Sequence, residues 1–260
     1  MAYRRRTRLL LKYLDLVDGD RVFDCGCGPG FHLRLMDALR HLDLVGLDAD
    51  LGQIHKAMQA RTPAALVHGD CAHLPFQDCS FDKVLLTEVL EHVPDDLTAL
   101  TEIFRVLRPG GLLAISVPHA RYPFWWDPIS SVWAVLGGAP IRRGPLVGIW
   151  TNHLRLYLPG ELNALAREAG FVVEAVEEIT HHCPPLAHFL LYGIGKPLVE
   201  RRLVSSPRRA RPANCADHGS PRLPLRLILA YCHAVDRRND RSGSRGGRTF
   251  VNVVIKVRKP

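Results

Sequence analysis

Acidic residues and glycines at short, regular spacing are the residues of this 260-residue chain best suited to chemistry. Apolar Val22 and Phe23 lead into Asp24, which is followed by glycines at every second position, Gly26, Gly28 and Gly30. Such glycines permit a tight turn with no Cβ between backbone and ligand, and a helix that begins near Phe31 would offer free N–H groups. The spacing GxGxG is shorter than the dinucleotide fingerprint GxGxxG. The pattern indicates a ligand-binding turn, although glycine also serves packing alone.

Three more acids follow apolar segments that read as strands. Asp48 follows 44–47, Asp70 follows 65–69, and Glu88 ends the segment 81–88. The carboxyl ends of parallel strands share one rim, and open α/β sheets bind ligands at that rim. An acid in the position of Asp48 can accept hydrogen bonds from both hydroxyls of a ribose. The sequence therefore predicts an α/β, doubly wound sheet with a nucleoside-containing ligand at one edge.

Residues 21–118 resemble the core of the class I S-adenosylmethionine (AdoMet) dependent methyltransferases. The resemblance is to the small-molecule and lipid methyltransferase group, and it is carried by VFDCGCGPG, GLDAD, HGDCAHLPFQDCSFD, VLEHV and LRPGG, in that order. It implies a mostly parallel seven-stranded Rossmann-like sheet whose last, antiparallel strand is 249–258, inserted beside the fifth, with apolar insertions. It implies AdoMet as cofactor and S-adenosyl-L-homocysteine as product.

The same resemblance assigns roles to residues at the rim. Glu88 is expected near the sulfonium and the acceptor. No general base is fixed by the superfamily, so three histidines stand as candidate bases, each with a structural role as the alternative: His92, His119 and His153. The remaining residues are expected to surround the methionine part (Asp24, Gly26, Gly28, Gly30), the ribose (Asp48) and the adenine (Ala49, Asp70, Cys71, Ala72).

All four tryptophans of the chain lie within 125–150, just after the predicted fifth strand. Large apolar rings at this rim predict an apolar acceptor pocket or a membrane-facing edge, with packing inside the insertion as the alternative. The candidate acceptor-binding residues are Tyr122, Trp125, Trp126, Trp150 and Tyr157.

We expect one methyltransferase domain over 1–260, comprising an AdoMet-binding core (1–118), an aromatic lid (119–150), a helix and strand (151–180), an apolar and basic insertion (184–248) and the final strand.

Positive charge is concentrated after residue 200. Residues 201–260 hold 15 Lys and Arg against 3 acids, whereas the first 200 hold 19 against 23. The apolar segment 184–199 beside the Arg-rich loop 205–222 is typical of an interfacial membrane anchor, to which the N-terminal arginines 4–6 and 8 could add. The alternative is a helix, packed on the sheet edge, beside a solvated loop. A further helix is expected at 223–235.

The motifs and the charge distribution favour one function class over three others. We expect methyl transfer to a hydrophobic small-molecule or lipid-linked acceptor, with a membrane surface as a candidate partner. An AdoMet-dependent RNA methyltransferase is the alternative, but the basic loops lack interleaved aromatic residues, so nucleic acid is not an expected partner. A NAD-dependent oxidoreductase is disfavoured by the GxGxG spacing, and a catalytically silent member by the intact motifs. The acceptor, the methylated atom and the oligomeric state stay open.

Cysteine usage favours a cytoplasmic protein, and the apolar and basic segments add peripheral attachment to the cytoplasmic face of the membrane as an alternative. Seven cysteines are an odd number for a disulfide framework, and no signal peptide is visible at the start of the sequence. Cys25 and Cys27 are too closely spaced for a typical metal site, so packing is expected and no metal is predicted.

Overall fold

The computed structural model describes residues 2–139, 148–150, 152–183, 234–235, 237–239 and 249–260. The chain divides into two compact units. Among the described residues, the larger unit holds 2–122, 152–180 and 249–260, and the smaller one holds 123–139, 148–150, 181–183, 234–235 and 237–239.

The larger unit is built on a seven-stranded sheet in the order β3-β2-β1-β4-β5-β7-β6. The first five strands pair in parallel, and β7 runs antiparallel to both β5 and β6. The predicted α/β class, the mostly parallel sheet and the antiparallel last strand beside the fifth are therefore confirmed. The strands are β1 (Arg21–Cys25), β2 (Asp43–Asp48), β3 (Ala65–His68), β4 (Phe81–Thr87), β5 (Leu107–Pro118), β6 (Val172–Ile179) and β7 (Asn252–Arg258).

Helices of the larger unit flank these strands, and aspartate side chains begin two of those helices. Asp50 accepts a hydrogen bond from the Gly52 N–H, and Asp95 accepts one from the Thr98 N–H, which satisfies otherwise unpaired donors of a helix N-terminus. The helices are α1 (Ala2–Leu14), α2 (Phe31–Asp37), α3 (Leu51–Gln59), α4 (Asp96–Val106), α5 (Pro128–Val135) and α6 (Pro159–Glu168), and a 3-10 turn spans Leu90–His92.

Successive residues of the central strands pack into two different apolar clusters. In β1, Phe23 lies in one cluster and Val22 in the other; in β4 the same holds for Val84 and Leu85. Side chains alternate across a strand, so both faces of the sheet are covered. This explains why these strands are continuously apolar, as parallel strands usually are.

The sequence predicts a helix over 95–107, a helix stop and turn at 108–111, and a fifth strand from Leu112 to Val117. The structure differs at this LRPGG segment. Strand β5 already begins at Leu107, which pairs with Phe81, and the next pair joins Leu112 to Lys83. The extra residues are accommodated as a bulge within the strand, and Gly110 takes a φ of 77° there. The turn predicted at this segment is therefore a bulge within one long strand.

The smaller unit contains α5, whose N-terminus is capped by the buried Asp127. One carboxylate oxygen accepts from the Ser130 N–H at 3.0 Å, and the other accepts from the Ile149 N–H at 2.8 Å. The apolar segment 184–199, the Arg-rich loop 205–222 and all but the end of the predicted helix 223–235 lie outside the described residues. Over the described part of the chain, every helix is too short or too polar to cross a bilayer.

Candidate cofactor and acceptor site

The glycine turn joins β1 to α2 with three residues in the left-handed region. Gly26, Gly28 and Gly30 have φ of 78°, 52° and 75°. The Gly26 N–H donates to the Leu47 carbonyl at 2.7 Å, which fixes the turn to the end of β2. A Cβ on Gly26 would lie 2.2 Å from Cγ2 of Val89, whereas a Cβ on Gly28 would meet no atom within 4 Å. The turn is therefore packed on one side and open at Gly28.

Asp48, at the end of β2, closes this turn through its carboxylate. Oδ2 accepts from the Gly28 N–H at 2.8 Å, and Oδ1 accepts from the Asp50 N–H at 2.9 Å. Each carboxylate oxygen can accept more than one hydrogen bond, and the side chain is partly exposed. Asp48 can therefore hold the turn and still accept from the hydroxyls of a ligand.

Asp24, in β1, is a buried carboxyl group just before the glycine turn. It is fully buried, and neither carboxylate oxygen has a hydrogen-bond partner among the described residues. Burial, with the nearby Asp48 charge, raises the pKa of Asp24 from 3.8 to about 7. An unpaired buried carboxylate is costly. The arrangement suits a cationic ligand group that would supply the missing partner.

The end of β3 supplies the next part of the rim. Asp70 accepts from the Ala72 N–H through Oδ1 at 3.0 Å. The Cys71 side chain is buried, whereas Ala49 and Asp70 are exposed. The Ala49 carbonyl contacts Nε2 of His68 at 3.0 Å, which ties the residue after β2 to the end of β3.

Glu88, just after β4, is held by three side chains. Oε1 accepts from the Ser116 hydroxyl at 3.2 Å and from the Asn252 amide at 3.1 Å. Oε2 forms an ion pair with Nη1 of Arg6 at 3.0 Å. The Arg6 side chain is 11% exposed, so this arginine of α1 points into the protein rather than toward a membrane surface. The residues next to Arg6 in the sequence do not predict this ion pair with Glu88, because it depends on how α1 packs against the sheet.

Two of the three candidate bases lie together, and they share a partner that the sequence analysis missed. Nε2 of His92 and Nε2 of His153 each lie 4.0 Å from Oε1 of Glu91. The Glu91 side chain is fully buried, and burial together with the Glu88 charge raises its pKa well above the ordinary value. Glu91 was visible in the sequence as the acid of the VLEHV block, next to His92.

His119 is placed differently. Its Nε2 donates to Oε1 of Glu178 at 2.7 Å, and its Nδ1 accepts from the Arg121 N–H at 2.7 Å. Burial is the main influence on His119 and lowers its pKa. Both ring nitrogens are used within the larger unit, which indicates a structural role and no free nitrogen for a substrate.

The candidate acceptor residues fall into both units. In the larger unit, Tyr157 is buried in the core with its hydroxyl donating to Asp96 at 2.7 Å, and Tyr122 is half-buried. In the smaller unit, the Trp125 side chain is 57% exposed, the Trp126 side chain is 8% exposed, and Trp150 is half-buried.

Comparisons with known proteins agree with this geometry. Residues 23–115 match the family model described as a methyltransferase domain. A probable S-adenosylmethionine-dependent methyltransferase of Mycolicibacterium smegmatis is 33% identical over 181 residues, covering 69% of this chain and 62% of that protein. An O-methyltransferase of Penicillium expansum is 30% identical, covering 70% and 62%. A demethylmenaquinone methyltransferase of Renibacterium salmoninarum is 37% identical, covering 68% and 65%. The matches thus span less than two thirds of these relatives.

Solved structures share the fold. An S-adenosylmethionine-dependent methyltransferase from Mesorhizobium loti has a TM-score of 0.57 at 17% identity, covering 99% of this chain and 98% of that one. A Haemonchus contortus phosphoethanolamine N-methyltransferase in complex with S-adenosyl-L-methionine has a TM-score of 0.59 at 16% identity, covering 99% and 53%. The predicted superfamily and its AdoMet cofactor are confirmed at the level of the domain. Residues 23–115 are therefore a methyltransferase domain that is similar to those of the class I AdoMet-dependent methyltransferases.

Proposed function

We propose that this chain binds AdoMet and transfers its methyl group to a hydrophobic small-molecule or lipid-linked acceptor. The observation that carries the cofactor part is the fully buried Asp24 carboxylate of β1, which has no hydrogen-bond partner among the described residues and lies just before a turn that is open at Gly28. AdoMet has an ammonium group to pair with such a carboxylate, and it supplies a methyl group already activated on a sulfonium. The protein then has to orient the acceptor and exclude water.

Residues at the ends of β2, β3 and β4 would contact the ribose, the adenine and the acceptor end of the cofactor, respectively. The Asp48 carboxylate would accept from the ribose hydroxyls, and its bond to the Gly28 N–H fixes its orientation. Asp70 would accept from the adenine amino group, with Ala49, Cys71 and Ala72 beside the ring. Glu88 would lie at the acceptor end.

The acceptor class is supported by exposed apolar side chains in the smaller unit. Phe124, Trp125 and Trp133 are 47%, 57% and 47% exposed, and an exposed group of large rings is typical of a binding surface. The Phe124 and Trp125 rings also contact each other edge to face at 5.2 Å. One relative is named as a demethylmenaquinone methyltransferase and another as an O-methyltransferase, which supports an organic acceptor of this kind.

A membrane surface is the proposed partner of the apolar and basic segment 184–222. The proposal draws on its composition, with apolar residues followed by arginines. Flotation with anionic liposomes should carry the protein upward at low salt and progressively less as salt rises. Equal flotation with neutral and anionic liposomes, or no flotation at low salt, would contradict it.

Methyl transfer is tested by measuring S-adenosylhomocysteine formation with two fractions of a cell extract, one organic and one aqueous. We expect product that depends on both AdoMet and the organic fraction. The Asp24→Asn variant should form less product at the same AdoMet concentration, because it loses the charge for the ammonium group. Turnover with the aqueous fraction alone would contradict the acceptor class while leaving the cofactor assignment intact.

A further inference from the structure

Glu91, His92 and His153 form a compact cluster near Glu88. One ligand atom from each of the three residues lies within 4.8 Å of the others. The fold creates the cluster, because the segment that contains His153 is tied to the 3-10 turn. The Leu154 N–H donates to the Glu91 carbonyl at 2.7 Å, and Nη2 of Arg155 donates to the Pro94 carbonyl at 2.6 Å.

The Glu91 carboxylate accepts no hydrogen bond from the side chains of the described residues. Its side chain is fully buried, and Nε2 of His92 and Nε2 of His153 lie 4.0 Å from Oε1, beyond hydrogen-bond distance. Leaving such a group unsatisfied costs folding free energy, so a cluster of this kind needs a reason. The nearby charged groups are Glu88 and Arg6, and Arg6 is paired with Glu88 at 3.0 Å. A bound cation would supply what Glu91 lacks.

His92 is oriented as a metal ligand is. Its Nδ1 lies 2.9 Å from the Asn152 carbonyl oxygen, which can only accept, so the proton is on Nδ1. The lone pair is then on Nε2, the atom that lies 4.0 Å from Oε1 of Glu91. A carbonyl that fixes the tautomer in this way is the usual outer-shell partner of a metal-bound histidine.

We propose that Glu91, His92 and His153 bind a divalent transition-metal ion. Two imidazoles and one carboxylate suit Zn²⁺, Co²⁺, Mn²⁺ or Fe²⁺, and three protein ligands leave a coordination position open. Bonds of about 2.1 Å place neighbouring tetrahedral ligands about 3.4 Å apart, so small side-chain rotations would close the present 4.0 Å separations. The His92 side chain is 41% exposed, so the open position is reachable from solvent. The sequence analysis predicted no metal site, because its argument concerned the spacing of two cysteines and these three residues are not cysteines.

The role of the ion, unlike its binding, rests on the proposed function. An acceptor hydroxyl at the open position would become more acidic, as metal-bound water does. Its O–H bond breaks and the proton passes to solvent. The oxygen electron pair then forms the bond to the methyl carbon while the S–CH₃ bond pair returns to sulfur. The proposal therefore assigns the methylated atom as oxygen.

Co²⁺ is the probe, because its visible absorption reports coordination. Tag-free full-length protein, stripped with EDTA and dialysed, is titrated with CoCl₂. We expect one equivalent to bind with visible absorption bands. Glu91→Gln and His153→Ala should each weaken Co²⁺ binding by more than about tenfold. His55→Ala is the matched control, since His55 is an exposed histidine on α3, and it should bind as wild type does.

Glu91→Gln keeps the size of the side chain, and its thermal unfolding midpoint shows that the variant is folded. Absence of stoichiometric Co²⁺ binding, or wild-type binding by folded Glu91→Gln, would overturn the metal site. The same stripped protein is titrated with AdoMet. AdoMet binding without Co²⁺ binding overturns only the metal site, and Co²⁺ binding without AdoMet binding overturns only the proposed function.

Discussion

The backbone N–H of Gly28 donates to Oδ2 of Asp48 across 2.8 Å, joining the glycine turn after β1 to the end of β2. One partly exposed carboxylate thus orders the turn and keeps lone pairs with which it can accept from a ligand. The residue proposed to bind the ribose and the turn proposed to surround the methionine part therefore form one structural unit. Substitutions of Gly28 or Asp48 should therefore lower the affinity for the cofactor.

Asp48→Ala should weaken AdoMet binding by about 1–3 kcal/mol, because charge-assisted hydrogen bonds to the ribose are lost. Isothermal titration calorimetry measures the effect. The matched control is Asp43→Ala, at the other end of β2, which loses only a partly exposed ion pair with Arg21 at 3.0 Å. Equal affinity of Asp48→Ala and wild type would remove Asp48 from the ribose site.

Gly28→Val should abolish AdoMet binding, because the new side chain would occupy the open space next to the turn. The control is Gly19→Val, since Gly19 also has a positive φ and no atom within 4 Å of an added Cβ. Both variants should lose about 1–2 kcal/mol or more of folding free energy through backbone strain. Thermal melts measure the loss of stability in each variant. If both variants lose AdoMet affinity to the same extent, backbone strain alone explains the loss of binding.

Short-range signals made the positions of the glycine turn and of the acids at the rim of the sheet predictable, while their roles in binding the cofactor stay predictions. The glycines at 26, 28 and 30 and the acids after three strands are read directly from neighbouring residues, and the sheet order follows from the family resemblance. The start of β5 was misplaced because a PGG sequence usually turns the chain. Here the pairing of Leu107 with Phe81 of β4, and the hydrogen bond that the Gly110 N–H donates to the Lys259 carbonyl at 2.8 Å, outweigh that preference, and the turn becomes a bulge.

The parts of the site that depend on tertiary docking could not be read from the sequence. Arg6 was one of several N-terminal arginines, and only the packing of α1 turns it toward Glu88. His92, His119 and His153 were equivalent candidates. The fold separates them, because His119 is used within the larger unit by Glu178 and the Arg121 N–H, whereas His92 and His153 converge on Glu91.

AdoMet affinity should fall by more than about tenfold between pH 7.5 and pH 5.5. The free-protein pKa of Asp24 is raised to about 7, and only the ionised form pairs with the ammonium group. Calorimetry across this range measures the slope. Asp24→Asn is the control: it should bind more weakly at pH 7.5 and show little pH dependence. A wild-type slope in Asp24→Asn would assign the titration to another group.

The same pKa predicts the pH dependence of folding without cofactor. Because the folded-state pKa of Asp24 exceeds its unfolded value, its contribution to stability is fully present below about pH 3.9 and is lost as pH rises through about 7. The free-energy advantage of Asp24→Asn over wild type should therefore grow from pH 5 to pH 8. Denaturant unfolding measures it, and an advantage that is constant with pH would contradict the buried carboxyl.

The two adjacent tryptophans should behave differently. Trp125→Ala should change folding stability by no more than about 0.5 kcal/mol, since the ring is 57% exposed, while Trp126→Ala should cost about 3–5 kcal/mol, since the ring is 8% exposed. Trp125→Ala should also raise the acceptor KM or lower kcat with AdoMet affinity unchanged. Joint loss of stability and AdoMet binding in Trp125→Ala would show that this ring is core.

The most direct test of the central claim is calorimetric titration of the wild-type protein with AdoMet and, separately, with NAD. The rim described above predicts AdoMet binding at one site with a micromolar Kd, about −8 kcal/mol, and no measurable binding of NAD. Binding of NAD without binding of AdoMet would contradict the account.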